Sequence, residues 1–153
     1  MRRRLAAIFT ILIGAIPSAN SAEPTDWHSL KASTSPSDRK VVRNVESLEW
    51  WRACIEWGRE ERKLAERTPR GQALLWYLES RGYINGKDRG NAPSRTVDIG
   101  MTECGVFASK GPPDAINQTT TARGRSAQFV YGRVYIYTEP SNGPVNTVHA
   151  IQH

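Results

Sequence analysis

The sequence predicts an α+β fold: a helical hairpin plus a short helix packed on one face of a three- to four-stranded antiparallel meander. Three observations predict it. Over residues 45–82 apolar side chains recur at the helical period. Over residues 127–152 Val, Ile, Phe and Tyr alternate with polar residues, the period of a half-buried strand. Between them, Gly111-Pro112-Pro113 stops a helix and leads into the strands, because proline lacks the N–H and clashes with the preceding turn.

The first residues read as a targeting segment. Arg2, Arg3 and Arg4 precede an apolar run over residues 5–16, and Pro17-Ser18-Ala19-Asn20-Ser21-Ala22 follows as a small, helix-breaking stretch. This tripartite order is that of a cleaved secretory signal, assigned to residues 1–22 with the cut after Ser21 or Ala22. The apolar run is shorter than the roughly twenty residues that span a bilayer, so no transmembrane span is expected after cleavage. A retained N-terminal anchor is the alternative. The expected location is the periplasm, or outside the cell.

The formal charge is +6, from 21 Lys+Arg and 15 Asp+Glu. Removing Arg2, Arg3 and Arg4 leaves 18 − 15 = +3. Export argues against nucleic acid as a partner. A mildly basic face suits an acidic protein surface or anionic lipid, with an ordinary solvated surface as the plain alternative. About 130 residues after cleavage suffice for one domain with one modest core.

The only cysteines are Cys54 and Cys104, an even pair expected in an oxidising compartment. They fall in different predicted helices, so a bridge would join the hairpin to the C-terminal part. Closing a loop of about 50 residues contributes about 3–4 kcal/mol by chain entropy. Two buried free thiols are the alternative. Without a C-x-x-C pair, redox catalysis has no support.

Residues 23–44 are rich in Ser, Thr, Pro and Lys and read as a flexible lead-in, with Trp27 and Leu30 free to dock on the body. Residues 45–67 read as the first strong helix, with Ser47 as N-cap and Glu49 in the first turn. One stripe holds Leu48, Trp51, Ile55 and Gly58; its neighbour holds Trp50, Cys54, Trp57 and Glu61. The three tryptophans follow this face, which favours core packing over ligand stacking. Thr68-Pro69 caps and starts a second helix that Gly82 closes. Residues 83–98 read as a loop. Asn85-Gly86-Lys87-Asp88 lacks the alternating carboxylates and terminal Glu of a calcium loop.

Thr102 is a good N-cap for a short helix with Glu103 in its first turn and Cys104, Phe107 and Ala108 inward. Strand-prone residues 115–121, 127–131, 134–138 and 145–152 follow, separated by Arg123-Gly124-Arg125, by Gly132, and by a loop containing Asn142-Gly143. Residues 99–153 thus form one helix-plus-sheet unit, and residues 45–153 are expected to be compact together.

Gly100-Met101-Thr102 at the helix start, Gly111 and Pro113 at its end, and the strand order after them resemble the SmpA/OmlA (BamE-like) domain family of small bacterial envelope proteins. The resemblance covers about residues 99–152. It implies a protein–protein interaction module, not an enzyme scaffold. Members of that family are usually lipoproteins with a cysteine directly after the signal. This chain has no cysteine before Cys54. It departs from the family there, and no lipid anchor is expected.

Catalytic chemistry finds no support in the sequence. The histidines are His28, His149 and His153. None stands in metal-ligand spacing or pairs by position with a nucleophile, so neither cofactor nor metal is expected. Two functional readings follow. The first is a non-catalytic periplasmic or secreted module that binds a protein or envelope component. The second is a small secreted enzyme inhibitor or enzyme on the same scaffold, since β-lactamase-inhibitor proteins share a related fold. The expected interface is an aromatic-plus-arginine patch of Tyr135, Tyr137, Arg123, Arg125 and Arg133. It rests on Phe129 and Tyr131 pointing inward. The alternative puts Tyr135 and Tyr137 in plain sheet packing.

Overall fold

The structure is a computed structural model that describes residues 25–63 and 68–153. The expected signal segment, residues 1–22, lies outside the described residues, as do residues 64–67 at the end of the expected first helix. The fold is α+β, with six described helices against one four-stranded antiparallel sheet of order β1-β2-β3-β4. Among the described residues no helix is long and apolar enough to cross a membrane.

Of the expected lead-in over residues 23–44, the described residues, 25–44, are not loose. They hold α1 (Trp27–Ala32) and most of α2 (Pro36–Glu46). Asp26 caps α1 by accepting from the Ser29 amide at 2.7 Å, and Pro36 starts α2 at the position where a missing N–H costs nothing. What overrides the polar composition is burial. Trp27, Leu30, Val42 and Val45 all join the core, and Trp27 packs edge-on against Tyr77 with centroids 5.1 Å apart. The expected long helix over residues 45–67 is two helices. Ser47 ends α2 rather than starting the next, and α3 (Trp50–Glu61) begins after Glu49. From Trp50 on, both stripes of that segment lie on α3, and Leu48 precedes it.

α4 (Pro69–Ser80) is capped by Thr68, whose hydroxyl accepts from the Gly71 amide at 2.9 Å. Gly82 follows in the left-handed region (φ 69°) that glycine adopts without strain. The expected loop over residues 83–98 contains α5 (Gly86–Asn91), built on a reciprocal capping box between Asn85 and Asp88. The residues that suggested a turn are the cap itself. α6 (Glu103–Lys110) starts at Thr102 and stops at Gly111, where φ is 82°.

α3 and α6 cross closely. Cys54 and Gly58 on α3 face Cys104 and Ala108 on α6, each pair one helical turn apart. Cys54 and Cys104 are disulfide-bonded, with Cα atoms 5.3 Å apart. The C-terminal carbonyl of Ala108 also accepts from Arg62 at 2.7 Å.

The sheet comprises β1 (Ala115–Thr121), β2 (Gly124–Tyr131), β3 (Val134–Glu139) and β4 (Thr147–Gln152). Phe129 pairs with Ile136 and Ala127 with Thr138; all four are buried, so this parity faces the helices. Tyr131 shares that parity, and its hydroxyl donates to the carbonyl of Gly111 at 2.8 Å. Burial pushes that phenol's pKa up, so it remains a donor. The Gly100-Met101-Thr102 segment has a separate task. Gly100 donates to Val148, Val148 to Met101 and Glu103 to Asn146, at 2.7, 2.7 and 2.9 Å. The start of α6 thereby covers part of the outer side of β4. Among the described residues no such partner stands beside β1, all of whose residues are exposed.

Among the described residues Asp88 is one of two acids buried in the helical layer, with Glu103 on α6. Asp88 accepts from the amides of Asn85 and Thr102 at 2.7 and 2.9 Å. The Thr102 hydroxyl lies 2.8 Å from the Tyr83 carbonyl and 2.9 Å from Asp88 Oδ2. That hydroxyl also accepts from the Gly105 amide at 3.0 Å, so its own proton is donated between the Tyr83 carbonyl and Asp88. Burial raises the Asp88 pKa above the usual 3.8 and outweighs the hydrogen bonds from Asn85 and Thr102, which act to lower it. A folded pKa above the unfolded one gives stability that is full below the unfolded value and is lost as pH rises through the folded one. The Asp88→Asn variant removes that titration. Relative to it, the native chain is expected to lose stability from about pH 4 upward and then level off. Unfolding midpoints of both across that range check this; a difference that grows in favour of the native chain with rising pH contradicts it.

Candidate functional site

Among the described residues, helices cover the inner face of β2, β3 and β4 but leave the inner face of β1 open. Ile116 and Gln118, which share the parity of Phe129 across the pairing, look into a groove instead of a core. The groove has a volume of about 400 Å³ and is lined by Trp50, Trp51, Glu103, Phe107, Pro112, Pro113, Ile116, Gln118, Arg125 and Phe129. Its walls are mostly aromatic and proline side chains. Ile116 is 43% exposed, one of two large exposed hydrophobics among the described residues.

Each wall has a local cause. Trp50 and Trp51 open α3 and line the groove together with Ile116 and Phe129 of the strands. Trp50 packs against Tyr83 (5.9 Å between centroids) and Phe107 (5.6 Å), and Phe107 against Phe129 (5.2 Å). This chain of contacts, tilted at Tyr83 and edge-on at Phe107 and Phe129, fixes the rings with little rotamer freedom left. Pro112 and Pro113 hold the α6–β1 connection extended. Of the three tryptophans on the predicted stripe, only Trp57 is fully in the core; Trp50 and Trp51 stay half-buried. All three thus pack on the core, Trp57 within it and Trp50 and Trp51 against it, and the latter two also form a groove wall.

The polar end of the groove is one ion pair. Glu103 is wholly buried and accepts from Arg125 Nη2 at 2.8 Å and from the Thr138 hydroxyl at 2.8 Å. The Arg125 side chain is 42% exposed. The anion lies beneath the cation, so the groove presents positive charge. The Arg52 guanidinium stacks 5.0 Å from the Trp51 ring centre and pairs with Glu49 at 3.9 Å.

The expected patch of Tyr135, Tyr137, Arg123, Arg125 and Arg133 is not assembled. Tyr135 and Tyr137 pair with Val130 and Gln128, on the face opposite the helices. Arg125 has the other parity and faces the groove. Arg123 and Arg133 sit in turns at opposite ends of β2, a full strand apart. The strand period separates Arg125 from the tyrosines, and turn placement separates the other two arginines.

The open face is polar instead. Asn117 donates to Gln128 at 2.7 Å, Gln128 to the Tyr137 hydroxyl at 2.9 Å, and that hydroxyl to Gln152 at 3.0 Å. One ladder thus crosses all four strands. His149, the extra residue where β4 slips register against β3, is exposed and lies 3.3 Å from Glu139. Among the described residues no group of His, Cys, Asp and Glu could hold a metal ion.

The five residues Gly100, Met101, Thr102, Gly111 and Pro113 have distinct places. Met101 is fully buried, Thr102 caps α6, and Gly100 and Gly111 take positive φ at either end of that helix region. Pro113 lines the groove. Sequence reasoning missed the groove as a whole. Its signal was Trp50-Trp51 at a helix start together with a strand, residues 115–121, that lacks any buried parity. Comparison with protein-family models, with curated proteins and with solved structures returned no match.

Proposed function

We propose that this chain is a non-catalytic interaction module of the bacterial cell envelope, exported by its N-terminal segment, and that it binds a protein partner at the groove beside β1. The observation that carries the reading is a preformed aromatic groove that the fold's own helices leave uncovered. Rigid aromatic rings with a flanking arginine are the composition of interface hot spots. Exposed apolar grooves on a small domain mark contact sites. The resemblance of the Gly100-Met101-Thr102 region and the following strands to the BamE-like family supports the same class of function. The disulfide suits an oxidising compartment.

Photocrosslinking residues placed one at a time at Ile116, in the groove, and at Tyr135, on the open face, test this in the native cell. Discrete crosslinked species are expected from Ile116 and not from Tyr135. Crosslinks from Tyr135 alone would move the site to the open face. Crosslinks from neither would remove the interaction reading.

A further inference from the structure

We propose that the groove takes an extended, acidic segment of another protein, which adds as a fifth strand to the free edge of β1. This rests on the interaction reading above and specifies its partner. Backbone supplies the first argument. A sheet edge offers unpaired N–H and C=O groups, and proteins normally guard it with a charge, a proline or a covering segment. The β4 edge is partly covered by Gly100 to Glu103. β1 carries no charge and no proline along its seven residues, AINQTTT, and every one is exposed. Strand addition is the recognition mode that such an edge supports.

Side chains supply the rest. On the groove side of the sheet, Ile116 stands opposite Phe129 and Thr120 opposite Arg125. These two rows are four residues apart, about 13 Å along a strand. A strand laid beside β1 points every second side chain to the groove side. An apolar residue would then sit near Ile116 and the aromatic walls, and an acidic residue four positions away would meet Arg125. Charge complementarity selects the acid. The one carboxylate lining the groove, Glu103, is fully buried behind Arg125, whose guanidinium remains part exposed. The same cation disfavours a second copy of this chain, which would bring its own Arg125 to the seam.

The test uses the purified, isotope-labelled chain and four seven-residue peptides with blocked ends. Two read Thr-Phe-Thr-Val-Thr-Glu-Thr and its reverse, because strand direction is open; the other two carry Lys in place of Glu. A glutamate peptide is expected to shift β1 and groove resonances and to slow exchange of the outward β1 amides. Its lysine counterpart is expected to bind about tenfold more weakly or worse. The Ile116→Glu variant, altered at an exposed side chain, should keep its unfolding midpoint and lose the peptide. Arg125→Gln should level the two affinities; should it fail to fold, the peptide pair still decides the charge preference. Groove shifts without slowed β1 exchange would overturn strand addition while leaving the interaction reading intact. Equal affinity for Glu and Lys peptides would overturn the acidic partner. Self-association through β1, or silence with all four peptides at millimolar concentration, would overturn the proposal, whereas only absent crosslinks in the cell would remove the reading beneath it.

Discussion

Reduction of the Cys54–Cys104 bond is expected to lower stability by about 4 kcal/mol, the chain entropy returned to an unfolded chain when a loop of this length opens. The two cysteines are 50 residues apart in sequence. For a chain of this size that is a fall in unfolding midpoint of about 10–15 °C. Thermal unfolding with and without reductant, beside a Cys54→Ala/Cys104→Ala variant, measures it. The variant should match the reduced chain and be indifferent to reductant. An unchanged midpoint on reduction would mean that packing alone holds α3 against α6. The groove should feel the loss too. Trp50 stands one turn from Cys54 on α3, and Phe107 follows Cys104 on α6, so the crossing sets the distance between these two walls. Tryptophan fluorescence should therefore shift before global unfolding.

How much of this was legible depends on the range of the interaction. The α+β class and the antiparallel meander follow from local periodicity, and the cap of α6 from Thr102 and Glu103, so these were readable. The bridge was readable as a possibility from an even cysteine count. The N-terminal helices were not, because their composition is polar and their order comes from Trp27 and Leu30 meeting α4, a contact across about fifty residues of chain. α5 was hidden because Asn-Gly-Lys-Asp serves equally as a turn and as a capping box; the choice is made by Asp88 reaching the Thr102 amide. The interface failed for a different reason. Residue types were right for a hot spot, but pairing register places Arg125 on one face and Tyr135 and Tyr137 on the other. A one-residue change of parity decides that, and composition does not report it. The groove needs knowledge of which strand the helices leave uncovered.

The Gly58→Ala variant is expected to lose about 3 kcal/mol, the upper range for forcing extra volume into a packed contact. A Cβ at Gly58 would lie 2.1 Å from the Ala108 carbonyl oxygen and 2.6 Å from its carbon. These are backbone atoms, so no rotamer change relieves the clash. α6 cannot simply retreat: one turn before Ala108 it is bonded to α3 through Cys104, and Ala108 itself is bridged by Arg62. At helical φ alanine is otherwise preferred to glycine by about 1 kcal/mol, so the measured loss is net of that gain. Gly90→Ala on α5 supplies the control, because nothing stands within 4 Å of a Cβ there. That variant should be neutral or slightly more stable. Chemical denaturation of both resolves the pair. A Gly58→Ala variant as stable as its control would show that the two helices can separate by about an ångström at no cost, and the close crossing that positions Trp50 against Phe107 would then not be what holds the groove open.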